Sequence, residues 1–435
     1  VRKVLIINYY WPPSGGAGVQ RWLKFAKYLR TFGWEPVIFT PENPEYPSID
    51  ESLAKDIPEG IEVIKTPIWE PYQYYKKLVG AGKNERINAG FLSEKKRPGL
   101  AERFSIWLRG NFFIPDARKF WIKPSVKSLT NYLKTHKVDA LVSTGPPHTM
   151  HRIALGVKRN TGLPWLADFR DPWTNIDFYN ELMLTQWADR KHHRQELSVL
   201  KEADEIVVIS RSMKTDFLKI YDRNYTVITN GFDAEDVAEV GATLDTKFSI
   251  AHIGTMVKTR NPQSLWEALN TLVRDMPGFD DALEIKLVGS VDFSVMDSIE
   301  KADLTKFVNR IAYLPHSEVV KVQQQSQVLL LLINDTPNAK VILPGKFFEY
   351  MAANRPILCI GPLDGDAAKV ISDVKAGIVV EKDNQEEIQK VIREFYQKFK
   401  NGELFIHSKD IEKYSRKSLT KELSERLEEI VKREL

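Results

Sequence analysis

"VLIINYYWPPSGGAGVQRWLKFAKYLRTFGWEPVIF", residues 4–39, decides the fold class. Val4–Ile7 is a short, wholly apolar run, which is how a strand buried on both faces reads. From Val19 to Leu29, the residues Val19, Trp22, Leu23, Phe25, Ala26 and Leu29 fall on or near one face of a helix. Gly33 stops that helix, and Trp34–Phe39 is the next strand. Two strands joined through a helix run parallel, so the stretch predicts a strand–helix–strand crossover. Between strand and helix lies Pro12-Pro13-Ser14-Gly15-Gly16-Ala17-Gly18, richer in glycine than a simple turn needs.

The same rhythm continues outward. Ala140–Ser143, Pro164–Asp168 and Glu205–Ile209 are short apolar strands with helical stretches between them. Such alternation implies a parallel sheet covered on both faces. After Asn230-Gly231 the pattern restarts: strands at Ser249–Ile253, Glu284–Val288, Val308–Tyr313, Val328–Ile333, Ile357–Ile360 and Ala376–Val380. Helices are expected at Pro262–Leu272, Glu318–Gln325 and Lys346–Ala353. The fold class is therefore α/β, with two doubly wound domains facing across a cleft. Their expected bounds are 1–230 and 231–405, and the charged residues 406–435 form a terminal helix packed back on the first domain. Ligands of open parallel sheets bind at the carboxyl ends of the strands.

A chain of 435 residues is long enough for two cores. Its net charge of +4 makes no case for a nucleic-acid partner. Its lone cysteine, Cys359, excludes an internal disulfide and sits in an apolar run that reads as core. The longest apolar run, Val328–Ile333, is far too short to span a bilayer. With no secretory signal in view, a reducing cytoplasm is the expected compartment.

Several strand ends carry chemistry. The glycine loop brings Gly15, Gly16 and Gly18 to a helix N-terminus, where N–H groups and the helix dipole favour an anion. "LADFRDPW", residues 166–173, gathers Asp168, Arg170 and Asp171 at another strand end, suited to position a hydroxyl or act as a base. "STGPPHTMH", residues 143–151, presents His148 from a rigid turn. His192 and His193 lie in a charged helix and read as a solvated face, with no metal constellation for them to join. In the second domain "HIGTMVKTRNP", residues 252–262, ends a strand at Gly254-Thr255 and places Lys258 and Arg260 before a helix. "LPGKFFEYMAANRPIL", residues 343–358, is the most informative stretch. Lys346 in the first turn opposes the helix dipole, a broken local rule that a bound phosphate would explain. Glu349, three residues on, shares its face and can accept bonds from two vicinal ribose hydroxyls.

These motifs, with "VIS" at 208–210 and "ITNGFD" at 228–233, make nearly the whole chain resemble a family 4 (group 1) glycosyltransferase of the GT-B fold. "PGKFFEYMAANRPIL" carries most of the resemblance and places the chain near a subgroup with a Lys-x-x-Glu-Tyr-Met-Ala pattern. The resemblance implies two Rossmann-like domains and a retaining, metal-independent transferase. It would move a sugar from a nucleotide-diphosphate donor to an acceptor hydroxyl, with no cofactor. It implies that Glu349 binds ribose, that Arg260 and Lys346 take the diphosphate charge, and that Gly15 and Gly16 line the donor phosphates. Gly289 and the "YLPH" turn at 313–316, with Leu314, would lie near sugar and base. Asp168 and Asp171 would position the acceptor or shape the sugar site. Two positions depart from the family: Val341 stands where many members have a first glutamate, and Thr255 where an arginine often follows the glycine.

Residues 68–125 break the α/β rhythm. Within 91–123, Lys95, Lys96, Arg97, Arg103, Arg109, Arg118, Lys119 and Lys123 are interleaved with Phe104, Ile106, Trp107, Leu108, Phe112, Phe113 and Ile114. Two readings stand side by side: an interfacial membrane-binding stretch at the inner face of the membrane, or an insertion with inward aromatics and a solvated basic rim. The first would make the acceptor lipid-linked, as in surface polysaccharide or glycolipid assembly. A nucleotide-sugar 2-epimerase of the same fold and a non-catalytic nucleotide-sugar-binding assembly subunit fit the same residues.

Overall fold

A computed structural model describes residues 1–46, 48–70, 100–176, 179–238, 242–312 and 314–433. Lys95, Lys96, Arg97 and Tyr313 fall outside the described residues. The chain divides into two compact units, 1–229 with 419–435, and 230–418.

The first unit is built on a parallel sheet of seven strands in the order β3-β2-β1-β4-β5-β6-β7. They are β1 (Arg2–Ile7), β2 (Trp34–Pro41), β3 (Glu62–Thr66), β4 (Ala140–Gly145), β5 (Trp165–Phe169), β6 (Glu205–Val208) and β7 (Thr226–Val227). Side chains alternate between the two faces. Leu5 and Ile7 join Phe39, Leu141 and Ile153 on one side, while Val4 and Ile6 join Val19, Trp22 and Phe25 on the other. Helix Ala17–Leu29 is covered on that second side by Leu419, Leu423, Leu427 and Ile430 of helix Arg416–Lys432. The strand order reverses between β1 and β4, the place where such sheets take ligands.

The second unit has a six-stranded parallel sheet in the order β10-β9-β8-β11-β12-β13. Its strands are β8 (Phe248–Ile253), β9 (Leu283–Val288), β10 (Val308–Ile311), β11 (Val328–Leu332), β12 (Ile357–Ile360) and β13 (Gly377–Val380). Here the order reverses between β8 and β11. Cys359 on β12 is buried, and burial pushes its thiol up to about 12. Both sheets agree with the expected α/β class of two doubly wound domains.

Two edge strands, β3 and β7, have no counterpart in the sequence reading. Of the irregular segment, Leu100–Phe112 forms a helix. No helix among the described residues is long and apolar enough to cross a membrane.

Candidate functional site

In the second unit the switch between β8 and β11 is where the sequence motifs meet. β8 ends at Ile253, and the chain turns at Gly254 with φ +110°. Beside it β9 ends at Gly289, φ +103°. A Cβ on Gly289 would stand 3.2 Å from the Gly254 carbonyl oxygen, so the two turns pass close together, and the positive φ of each favours glycine.

Helix Gly345–Ala352 grips the end of β8 with two residues one turn apart. Lys346 Nζ donates to the Ile253 carbonyl at 2.9 Å, and the Tyr350 hydroxyl accepts from the Ile253 N–H at 3.0 Å. Phe347, Phe348 and Met351 on the other faces are buried in the core, so the polar face is forced toward the strand ends. Pro344 at the N-cap offers no side-chain acceptor, which leaves first-turn N–H groups without a cap.

The cations converge here. Burial, and then the charge of Arg260, hold the Lys346 amine well below the usual lysine range, with Glu349 pulling it back up. Arg260, in the short turn Lys258–Arg260, donates from Nη1 to the Thr255 carbonyl at 3.0 Å. Its Nε bonds the Asn334 side chain just past β11. Among the described residues Glu349 receives one hydrogen bond, from Gln323 Nε2 to Oε2 at 3.0 Å, and its Oε1 can accept from a ligand. Thus Gly254, Thr255, Arg260, Gly289, Lys346 and Glu349 are brought to one strand-end region. Lys258 is exposed at its edge. Leu314 is half-buried and packs on the adjoining core. Two cations beside a glycine crossing suit a diphosphate.

Residues 233–418 match the family model of the glycosyl transferases group 1. No curated protein matches the chain in sequence. Solved structures do match in shape. A glycosyltransferase from Rickettsia africae aligns over 99% of both chains, at 16% identity and a TM-score of 0.62. HepE of Anabaena, in complex with UDP-glucose, covers 99% of this chain and 97% of its own, at 12% identity and a TM-score of 0.57. A mutant of S. aureus TarM, in complex with Fondaparinux, alpha-GlcNAc-glycerol and UDP, covers 99% and 96%, at 12% identity and a TM-score of 0.56. At such identities the likeness establishes the fold, which is GT-B. The family model in addition supports a glycosyl transfer role.

The first unit gathers its own strand-end residues, and the structure gives several of them different work from the expected one. Asp168 is expected to meet a hydroxyl, yet it is fully buried. Arg21 pairs with it at 2.8 Å, while Trp22 Nε1 at 2.7 Å and Thr144 Oγ1 at 3.0 Å also donate to it. A carboxylate so engaged has no capacity left for an acceptor. Arg170 is likewise committed to backbone: Nη1 donates to the Gly18 carbonyl at 2.8 Å and Nη2 to that of Pro146. Asp171 is exposed and keeps a carboxylate at the surface.

The glycine loop is packed against its own unit. A Cβ on Gly15 would stand 2.7 Å from Ser48 Oγ, and one on Gly18 would stand 2.9 Å from Tyr10. Gly16, at φ +87°, is the exposed member and caps helix Ala17–Leu29. His148 is buried and stacks on Trp173 with ring centres 4.7 Å apart. Burial and the neighbouring His151, His192 and Arg170 push its imidazole well below the ordinary range, so it is neutral. His192 is not part of a solvated face as expected. It is buried on helix Gln186–Glu202, because that face of the helix meets Trp173, whose Nε1 donates to His192 Nδ1 at 3.1 Å. His193 is exposed.

Sequence reasoning missed Arg21, His252 and Gln323. Each carried a signal: a polar residue in an otherwise apolar strand or helix face. Within either unit taken alone, no three His, Cys, Asp or Glu side chains among the described residues gather ligand atoms within 4.8 Å of one another.

Proposed function

We propose that the chain is a retaining glycosyltransferase that moves a sugar from a nucleoside-diphosphate sugar to an acceptor hydroxyl. One observation carries the reading: Lys346 and Glu349 share a helix face at the β8–β11 switch, with Arg260 beside them. Glu349 Oε1 accepts from the ribose hydroxyls. Arg260 and Lys346 stabilise the negative charge that grows on the diphosphate as the glycosidic bond breaks. With two side-chain cations and the uncapped helix start present, the leaving group needs no metal. The transition state is oxocarbenium-like, and the acceptor attacks the face that the diphosphate leaves. A leaving phosphate oxygen takes the acceptor proton. Asp171 meets the acceptor, and Asp168 acts as a positioning residue that fixes Thr144 and the helix behind the glycine loop. The UDP-glucose bound by HepE makes a uridine nucleotide the first donor to try.

Surface polysaccharide or glycolipid assembly is the setting we favour, with contact at an anionic membrane. Its support is an exposed aromatic group, Trp69, Phe104, Phe112 and Phe120, with Lys119 lying over Phe113 and Phe120. Co-sedimentation with phosphatidylglycerol vesicles at low salt checks this part, and no binding refutes it. Val341 in the place of a first glutamate favours one alternative, a nucleotide-sugar binder without turnover. Release of free nucleoside diphosphate with and without glycan acceptors separates the two. Arg260→Ala should lower turnover by about tenfold or more. Unchanged turnover would remove Arg260 from the mechanism.

A further inference from the structure

His252 lies on β8 with its side chain 1% exposed, inside a strand whose other members are apolar or small. Its two ring nitrogens face different partners. Nδ1 is 3.2 Å from the Leu330 carbonyl oxygen on β11, and Nε2 is 3.2 Å from Lys346 Nζ. Two backbone groups act on the ring, Leu330 and Thr255, and the Thr255 carbonyl already accepts from Arg260 Nη1; a carbonyl oxygen can only accept, so the proton goes to Nδ1, facing Leu330. The Nε2 lone pair then faces the lysine. Burial, with Lys346 and Arg260 adjacent, pushes this imidazole well below its ordinary range, so no second proton occupies that lone pair. Burial and Arg260 lower the Lys346 amine, and the negative charge of a ligand phosphate restores the ammonium; it then has three N–H donors, and the Ile253 carbonyl and the imidazole take two of them. A Cβ on Gly254 would stand 3.7 Å from Nζ, so the amine lies beside the Gly254 backbone with no side chain between.

We infer that His252 is a positioning residue for the diphosphate site: it accepts from Lys346 and holds the third N–H aimed over Gly254. The bond between His252 and Leu330 ties this aim to the two strands that flank the switch. A ligand phosphate then meets a donor that is already ordered, so binding does not have to freeze a free lysine side chain. The inference rests on reading this unit as a nucleoside-diphosphate site.

The test is a set of binding measurements with UDP and inorganic pyrophosphate, by calorimetry, on the full chain. His252→Phe removes the acceptor and keeps a buried ring; it should weaken both ligands about tenfold or more. His252→Gln returns an acceptor oxygen near the Nε2 position and should recover most of the loss. Lys346→Met with His252→Phe should bind no more weakly than Lys346→Met alone, because the histidine acts through the lysine. Losses that multiply in the double variant would overturn the inference and leave the nucleotide site standing. Separately, 15N shifts of ring-labelled histidine should show His252 neutral with its proton on Nδ1. A proton on Nε2, or a charged ring, would overturn the inference whatever the ligand. No binding of UDP or pyrophosphate by the parent chain would refute the nucleotide reading, and the ring shifts would then decide the positioning claim alone.

Discussion

Asp168→Asn gives the clearest measurement of what the first unit's strand ends are for. The carboxylate is fully buried, and the Arg21 side chain beside it is 1% exposed. Arg21 also donates to the carbonyls of Thr229 at 2.7 Å and Ile228 at 2.9 Å, so the pair clips residues 228–229 onto β5. The amide keeps the shape but removes the charge, and its NH2 group faces N–H donors. Arg21 is then a buried cation without its counterion. Breaking a buried pair in this way costs about 3–5 kcal/mol. With a urea slope of about 3 kcal/mol per M, the midpoint should fall by roughly 1–2 M. Tryptophan fluorescence reports this unit well, since of the ten tryptophans Trp266 lies in the second unit. Replacing both partners, Arg21→Met with Asp168→Leu, should cost less than the single change, because no charge is left stranded. A midpoint for Asp168→Asn within about 0.3 M of the parent, together with lost transfer activity, would refute this reasoning. It would return Asp168 to a direct chemical role.

Three further outcomes follow from the geometry. His151 is buried, and burial with Arg170 nearby pushes its imidazole down to about 3, so the unfolded chain binds its proton near pH 6.5 while the folded chain does not. Stability is therefore lost as pH falls below 6.5, by about 1 kcal/mol between pH 6.5 and 5.5 for this residue. Burial raises Glu70 and Glu196, which pull the other way, so the check is the difference in urea stability between the parent and His151→Asn across that interval. An unchanged difference would contradict a neutral His151. Glu349→Gln should erase a preference of roughly tenfold for UDP over 2′-deoxy-UDP, since a carboxylate oxygen is what accepts from the ribose hydroxyl; equal affinities in the parent would remove the ribose assignment. Gly254→Ala should lower stability by about 1–2 kcal/mol through its positive φ and weaken UDP binding by setting a methyl beside Lys346 Nζ, in the space a phosphate would take; thermal shifts with and without UDP separate the two effects.

How much of this was legible in the sequence depends on where each element sits. Strands buried on both faces, such as Val328–Leu332 and Ile357–Ile360, announce themselves as apolar runs, and the central strands were read close to their observed limits. The edge strand Glu62–Thr66 mixes charge with two apolar residues and is largely half-buried or exposed, so it lacks that signature. Thr226–Val227 is two residues long and has no period to detect. The nucleotide-site candidates in residues 343–358 were legible because Lys346 contradicts its helix dipole, and a contradiction of a local rule is evidence for something the local sequence does not contain. The same logic applies to residues that were overlooked. Arg21 interrupts the apolar face of Val19, Trp22, Phe25 and Ala26, and His252 interrupts β8. Their partners, Asp168 and Lys346, lie 147 and 94 positions away in the chain. Distance in sequence hides the partner, but the interruption itself is visible, because burying an unpaired polar group costs too much for the site to lack one. A polar side chain inside an apolar strand or helix face therefore predicts a second, distant polar residue. In this chain that inference leads to the carboxyl ends of β5, next to the β1–β4 reversal, and of β8, at the β8–β11 reversal.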